Sequence, residues 1–391
     1  MSQNNRILSN LRILDFSWVL AGPYATRMLA DFGAEVIKVQ SPAQPVEDDA
    51  FSRAYFNTWN RNKLGITLNL NRHEGIAIAK KLVGISDAVV ENFAPRVMAN
   101  WGLNYENLRK TKPDTIMVSL STMGHTGPLQ HYVGFGPTVH ALSGMTYLTS
   151  FPGRPPTGLG FSYADHIAGL FGALALLGAL EHRRKTGEGQ YIDLSETEAM
   201  ASLLGDAFLQ YGVTGKEAGP VGNSSTTAAP HGVYRCQGDL PEAGWCAISV
   251  SSQEEWRGLK KALGLPWTKS RRFATMAGRL KNAAELDSLI ENWTKERTAG
   301  EVMAWLQQHG VPAGVVQSAQ DLANDPQLKA RGFFLRSGDA IADANPIRLS
   351  ETHAHYERAA PSPGQDNDYV FGELLGMTAN EVDSLRQDGV I

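Results

Sequence analysis

LRILDFSWVLAGPYATRMLADFGAEVIKV, residues 11–39, decides how this chain folds. It opens on a short apolar run, residues 11–16, of the kind that forms a buried strand. Residues 25–32 (ATRMLADF) carry apolar side chains at helical spacing, and residues 34–39 (AEVIKV) read as a second strand. A strand, a helix and a strand in so few residues make a crossover unit, the building block of a parallel sheet. The alternation continues with a helix over 75–82 and strands over 87–91 (DAVVE) and 115–120 (TIMVSL). We therefore expect an α/β chain whose first ~120 residues are Rossmann-like in pattern. The dinucleotide fingerprint is missing, because no complete G-x-G-x-x-G occurs, and there is no P-loop.

Farther along, residues 121–160 are rich in Gly, Pro, Thr and Ser (MGHTGP, GFGPT, FPGRPPTGLG). So long an irregular stretch is usually functional. Residues 191–195 (YIDLS) read as a strand after the turn KTGEGQ, and residues 196–208 as a helix. The small, polar segment 214–232 reads as a linker. A second, smaller α+β domain is expected over 233–325, with strands near 233–235, 245–250 and 311–316 and helices near 253–263, 283–294 and 299–309. A second connection follows near 325–331, and the tail carries a helix.

The totals narrow the function. With 391 residues, 42% hydrophobic and 19% charged, the chain has enough apolar side chain for real cores. A net charge of −4 gives no basic excess for nucleic acid or an anionic membrane. The start, MSQNNRILSNLRILDF, lacks a basic head followed by an apolar core, so no signal peptide is read. Two cysteines, Cys236 and Cys246, are too few for a disulfide framework or a four-ligand zinc site, and a cytoplasmic setting is expected. The histidines show no ligand spacing, and His140 and His166 read as packing or capping residues. GISDA (84–88) and GFSYA (160–164) miss the nucleophile elbow G-x-S-x-G at its last glycine.

One acid stands out. In YADHIAGLFGALALLGALEHRR (163–184), Asp165 precedes fourteen residues, 167–180, without a charge. That run is shorter than the ~20 residues a bilayer span needs. With Gly169, Gly172 and Gly178 it reads as a helix buried on all sides. Asp165 is then either an ordinary helix cap or a reactive group.

Five segments in order change that balance: LDFSWVLAGPYATRMLADFGAEVIKVQ (14–40), NRNKLGITLNL (60–70), DAVVENFAP (87–95), YADHIAG (163–169) and KTGEGQYIDLS (185–195). Together they resemble the family III CoA-transferases, the CaiB/BaiF family, which includes formyl-CoA, carnitine and benzylsuccinate CoA-transferases, with the α-methylacyl-CoA racemases as relatives. The resemblance implies a large Rossmann-like, CoA-binding domain built from residues 1–213 and the returning residues 326–391, and two chains, alike or paralogous, that interlock as a dimer. It implies Asp165 as nucleophile, forming aspartyl anhydride and aspartyl-CoA intermediates, with a CoA thioester as substrate and no metal or tightly bound cofactor. By position it assigns CoA contacts to Val19, Leu20, Ala21, Leu68, Asn92, Phe93 and Ala94. Family basic residues fall here at Ser41, Asn71 and Asn100, leaving Lys38, Arg61, Lys63 or Arg96 as substitutes for holding phosphate.

The Gly-rich loops 134–136 and 158–160 are candidates for oxyanion donors. Residues 222–232 lie where formyl-CoA transferase has its glycine-rich lid, without matching that motif. The racemase histidine falls at Phe135, which favours transfer over α-proton exchange; a non-catalytic CoA-binding subunit is a further alternative. GFGPTVHALSG and GLGFSYADH look most like the benzylsuccinate branch. Trp18, Tyr24, Phe135, Phe161 and Tyr163 are candidates for an apolar acyl pocket. The expected donor is succinyl-CoA and the acceptor a substituted succinate or similar organic acid.

Overall fold

Residues 11–39 fold into β1 (Arg12–Asp15), α1 (Ala21–Ala30) and β2 (Glu35–Gln40). The computed structural model describes residues 6–43, 50–238, 244–337 and 340–391. The first five residues, read above for a leader, lie outside that set. The chain continues through α2 (Ala50–Asn60), β3 (Lys63–Thr67), α3 (His73–Ile85), β4 (Ala88–Glu91), α4 (Arg96–Asn100), α5 (Tyr105–Thr111) and β5 (Ile116–Ser121). Next come α6 (Gly136–Leu142), α7 (Met145–Leu148), α8 (Tyr163–Thr186), β6 (Tyr191–Ser195), α9 (Glu196–Ala201) and α10 (Gly205–Thr214). The six strands make one parallel sheet in the order β3-β2-β1-β4-β5-β6. This is the doubly wound order. Winding reverses between β1 and β4, and ligands of such sheets sit beyond the carboxyl ends of the strands there.

Both faces of the sheet are covered, which is why its strands read as near-continuous apolar runs. One face, with Leu14, Ile37, Ile66, Val89 and Met117, packs against α3 and a C-terminal segment that brings in Val370, Phe371, Val382 and Ile391. The other face, with Ile13, Val36, Ala88, Val90 and Val118, packs against α1 and α8. β3 is hard to see in the sequence because Gly65 interrupts its apolar run. The returning chain explains that glycine: a Cβ at Gly65 would lie 2.6 Å from Pro361 Cβ. The Gly65 N–H donates to Asp366 Oδ2 at 2.7 Å.

α8 corrects one expectation. It is long and apolar enough, by length and composition, to cross a membrane. Its small residues Ala168, Gly169, Gly172 and Ala173 are buried, but Leu170, Phe171, Leu174 and Leu177 are 41–66% exposed. It is therefore buried along one stripe and not on all sides. The glycines account for the close side: a Cβ at Gly169 would lie 2.7 Å from the Ala21 carbonyl, and one at Gly172 would lie 3.0 Å from Leu120 Cδ2.

Residues 1–147, 158–218 and 332–391 form one unit, and residues 148–157 and 219–331 a second. The second unit has an antiparallel sheet of β7 (His231–Arg235), β8 (Trp245–Ser249) and β9 (Ala313–Val315). Helices Gln253–Leu263, Ala283–Thr294 and Ala299–Gln308 share its core, centred on Trp256, Leu286, Ile290 and Leu306. Cys236 and Cys246 are buried, unpaired thiols in that core. Most of the expected linker, residues 219–232, is built into this unit. Gly222 N–H donates to the Ser150 carbonyl at 3.2 Å, and Ala229 N–H to the Val250 carbonyl at 3.1 Å. Those backbone bonds also explain why 148–157 joins it.

Candidate active site

Asp165 sits at the third position of α8, after Ser162 as the flanking cap residue. Gly169 faces Ala21 and Gly172 faces Ala25, so α8 lies alongside α1 in close contact with it. One turn before Gly169, Asp165 is therefore level with the β1–α1 connection. Asp165 is 9% exposed, and its Oδ2 is buried without a hydrogen-bond partner. Burial raises its pKa above the ordinary carboxylate range; its own backbone N–H, His166 and Ser162 oppose that rise. A native buried carboxylate oxygen left without a partner calls for a functional reason.

The first turn of α8 is held from two sides. His140 on α6 is buried, and its Nε2 accepts the Ala164 N–H at 3.0 Å. Burial lowers the His140 pKa, so the ring is a neutral acceptor at that nitrogen. His140 is thus the cap that the sequence reading expects. Gly136 presses on the other side: a Cβ there would lie 3.0 Å from Asp165 Oδ2 and 2.7 Å from Ser162 Oγ. The 134–136 loop therefore reaches the acid. Nothing lies within 4 Å of a Cβ built at Gly158 or Gly160, so the 158–160 loop is not packed against it.

Aromatic rings surround the neighbouring side chain. His166 Nδ1–H donates to the Ser162 carbonyl, 2.7 Å away. Its ring centroid is 5.2 Å from Tyr24, 5.2 Å from Trp59 and 6.3 Å from Phe161. Tyr163 stacks edge-on against Phe161. Of the five aromatics expected around the acyl group, Tyr24, Phe161 and Tyr163 gather here. Trp18 turns to Phe93 instead, and Phe135 is 61% exposed.

A cleft of about 630 Å³ opens beyond the carboxyl ends of β1, β2 and β3. Val19, Leu68, Asn71 and Phe93 line it, with Ser41 at its edge. Leu20 and Ala21 are buried at the start of α1, just behind that wall. Asn92 clamps the wall: the Trp18 backbone N–H donates to Asn92 Oδ1 at 2.8 Å, and the Asn92 amide returns a bond to the Trp18 carbonyl at 3.0 Å. Val19 has φ +60°, a strained conformation for a β-branched residue, at this clamp. Ala94 and Asn100 do not line the cleft. Tyr55 and Trp101 do, although no sequence signal marks them. Tyr55 links the cleft to the aromatic cluster, its ring centroid 5.9 Å from Trp59, which lies 5.2 Å from His166.

Three of the four substitute cations are committed elsewhere. Lys63 is fully buried and donates to Asp15 Oδ2 at 2.9 Å, the Pro23 carbonyl and Asn60. Lys38 lines the cleft but binds the Ser17 carbonyl and Asp15. Burial pushes Asp15 up, but Lys38, Lys63, Ser17 and Thr26 together hold it well below the carboxylate range. This buried network braces the β1–α1 loop. Arg61 forms a bidentate pair with Asp31. Arg96 is the exposed one, at the start of α4.

A second acid lies beside the first. Glu196, the opening residue of α9, is 7% exposed, and burial together with the Asp165 charge raises its pKa to about 8. Buried carboxyl groups with raised pKa values, set beside one another, gather at functional sites. Glu196 lacks a sequence signal, since YIDLSE reads as strand followed by helix. Among the described residues, no group of three or more His, Cys, Asp or Glu is placed to hold a metal ion.

Comparison with known proteins agrees with this geometry. The family model for CoA-transferase family III matches residues 8–367. The succinyl-CoA–D-citramalate CoA-transferase of Chloroflexus aurantiacus is 36% identical, over 99% of this chain and 98% of its own. The succinyl-CoA–L-malate CoA-transferase alpha subunit of the same species is 34% identical, over 98% and 92%. The crystal structure of a CaiB/BaiF family protein from Brucella suis superposes with a TM-score of 0.86 at 31% identity, covering 95% of this chain and all of that one. With a doubly wound sheet, a cleft at its switch point and a family match over nearly its whole length, the chain belongs to CoA-transferase family III and is a CoA-transferase, whose substrates are CoA thioesters and organic acids.

Proposed function

We propose that this enzyme moves CoA from succinyl-CoA to a 2-substituted succinate, with Asp165 as the covalent nucleophile. The observation that carries the reading is the buried, unpartnered Oδ2 of Asp165 at the start of α8, beside a cleft at the switch point of the sheet. Asp165 attacks the thioester carbonyl, the C–S bond breaks, and CoA leaves as thiolate, giving an aspartyl–succinyl anhydride. The thiolate then attacks the aspartyl carbonyl, releasing succinate and leaving aspartyl-CoA. The acceptor carboxylate attacks that thioester, forming a new anhydride and again freeing thiolate. Thiolate attack on the acceptor carbonyl releases acceptor-CoA and restores Asp165. Each step is an acyl transfer between held partners, so placement supplies much of the rate.

The relatives act with D-citramalate and L-malate, both succinates substituted at C2. The Tyr24, Trp59, Phe161 and His166 rings suit a substituent larger than hydroxyl, which keeps benzylsuccinate in the series. The test is an exchange assay with succinyl-CoA and malate, citramalate, phenylsuccinate and benzylsuccinate. Turnover with at least one supports the reading. Failure with all of them, together with α-proton exchange into solvent from 2-methylacyl-CoA, would replace it with racemisation.

The exposed apolar face of α8 supports a dimer, as do Phe208, Leu209, Tyr211 and Val213 on α10, 58–76% exposed. We assign that face to a second copy or a paralogue, and the enzyme to the cytoplasm. Sedimentation of the pure protein as a monomer at micromolar concentration would leave a paralogue as the partner.

A further inference from the structure

The carboxyl end of β4 holds a buried acid that this reaction does not use. Glu91 is fully buried. Its Oε2 accepts the Phe93 N–H at 2.8 Å, which pins the turn carrying Asn92 and Phe93 at the wall of the cleft. Its Oε1 has no hydrogen-bond partner. Nor has His125 Nε2, 3.7 Å away, or Ser119 Oγ on the paired strand β5. The far side of the imidazole is fixed, with its Nδ1 2.8 Å from the Tyr191 hydroxyl. Tyr191 stacks on Tyr105, which lies under Arg109. Asp193 on β6 accepts the His125 backbone N–H at 2.8 Å and supplies the remaining charge that faces the pair. Asp15 on β1 pairs with Val90 and so projects from the opposite face of the sheet.

We propose that Glu91 and His125 are positioning residues for the CoA moiety, holding one proton beneath the Asn92–Phe93 turn whose loss loosens the cleft on its anionic ligand. The inference rests on CoA occupying the cleft. Burial, with Asp193 adding to it, raises Glu91 to about 7 against Ser119 and the Phe93 N–H, and burial lowers His125. Below about pH 7 both side chains are therefore mostly uncharged. A closure of ~1 Å would let protonated Glu91 donate to His125 Nε2, with Nδ1–H facing Tyr191. Ionised Glu91 has no counter-charge, stands near Asp193 and adds negative charge beneath a polyanion.

The test is CoA affinity by calorimetry from pH 6 to 8.5 for wild type, Glu91→Gln and His125→Asn. Glutamine keeps an acceptor for the Phe93 N–H but cannot ionise. Wild-type affinity falls above pH 7, by up to about one decade per pH unit. Glu91→Gln lacks that fall, so the ratio of the two dissociation constants grows from near one at pH 6 to about tenfold at pH 8.5. Titration of the CoA phosphates cancels in that ratio. His125→Asn moves the wild-type fall to lower pH, and in turnover the effect appears in KM and not in kcat. Parallel curves for wild type and Glu91→Gln, with Phe93→Ala weakening CoA, would overturn the inference while leaving the cleft assignment standing. If Phe93→Ala leaves CoA affinity unchanged, the cleft assignment itself fails.

Discussion

Two clefts of nearly equal size lie at opposite ends of the parallel sheet. The one beyond the carboxyl ends of β1, β2 and β3 is about 630 Å³, and the one at the starts of β2 and β3 about 620 Å³. Their chemistry differs. The second is lined by charges that already have partners: Arg6 with Glu357, Arg358 with Asp366 at 2.8 Å, and Glu35 with Arg12. At the first, Lys38 is tied to Asp15, and the buried acids of the same sheet end, Asp165, Glu196 and Glu91, have pKa values raised by burial. Paired charges tie the returning C-terminal chain to the sheet. Acids buried with raised pKa values cost stability, and such groups gather at functional sites. Volume alone does not separate the two ends; the state of their charges does.

Substitutions at the two ends should separate them, the largest effect falling at Asp165. Asp165→Asn should lower the exchange rate by about 10⁴-fold with the circular dichroism spectrum kept, as expected for loss of a nucleophile. Gly136→Ala places a Cβ 3.0 Å from Asp165 Oδ2. It should lower kcat by about 10²-fold through displaced reacting atoms. Trp101→Ala at the first cleft should weaken CoA by about 50-fold in calorimetry, through loss of a large apolar wall. Arg358→Ala at the second should change CoA affinity by less than about twofold, since its ion pair with Asp366 is structural and part-exposed. Equal losses at both ends would dissolve the distinction.

The smallest effect is on stability and depends on pH. The Glu196 pKa is raised to about 8 in the folded state, above its unfolded value. The folded protein therefore holds that proton more tightly than the unfolded chain. The contribution is complete below the unfolded pKa and is lost as pH rises through about 8. Glu196→Gln should then be more stable than wild type at pH 9, by about 2 kcal/mol in chemical unfolding, with the difference closing toward pH 5. Equal stabilities at both pH values would show that Glu196 is not held protonated.

The parallel sheet and the first acid are legible in the amino-acid sequence. The strand–helix–strand pattern of residues 11–39 points to the sheet, and the five ordered segments point to the family and to Asp165. What the sequence hides depends on contacts across long separations. Gly65 masks β3 because its reason is Pro361, nearly three hundred residues away. α8 reads as buried all round because composition does not show which apolar face the chain itself covers. Lys63 looks like a phosphate ligand until Asp15 and Asn60 are seen to hold it. Glu196 and Glu91 sit in ordinary strand-to-helix sequence, and only burial beside another acid gives them meaning. Carboxyl-end residues such as Tyr55 and Trp101 become predictable only once the strand order is known.

The most direct test of the central claim is intact-protein mass spectrometry after succinyl-CoA and then hydroxylamine. A hydroxamate localised to Asp165, absent in Asp165→Ala, is the expected result. Sustained CoA exchange in the presence of hydroxylamine, with Asp165 unmodified, would contradict it.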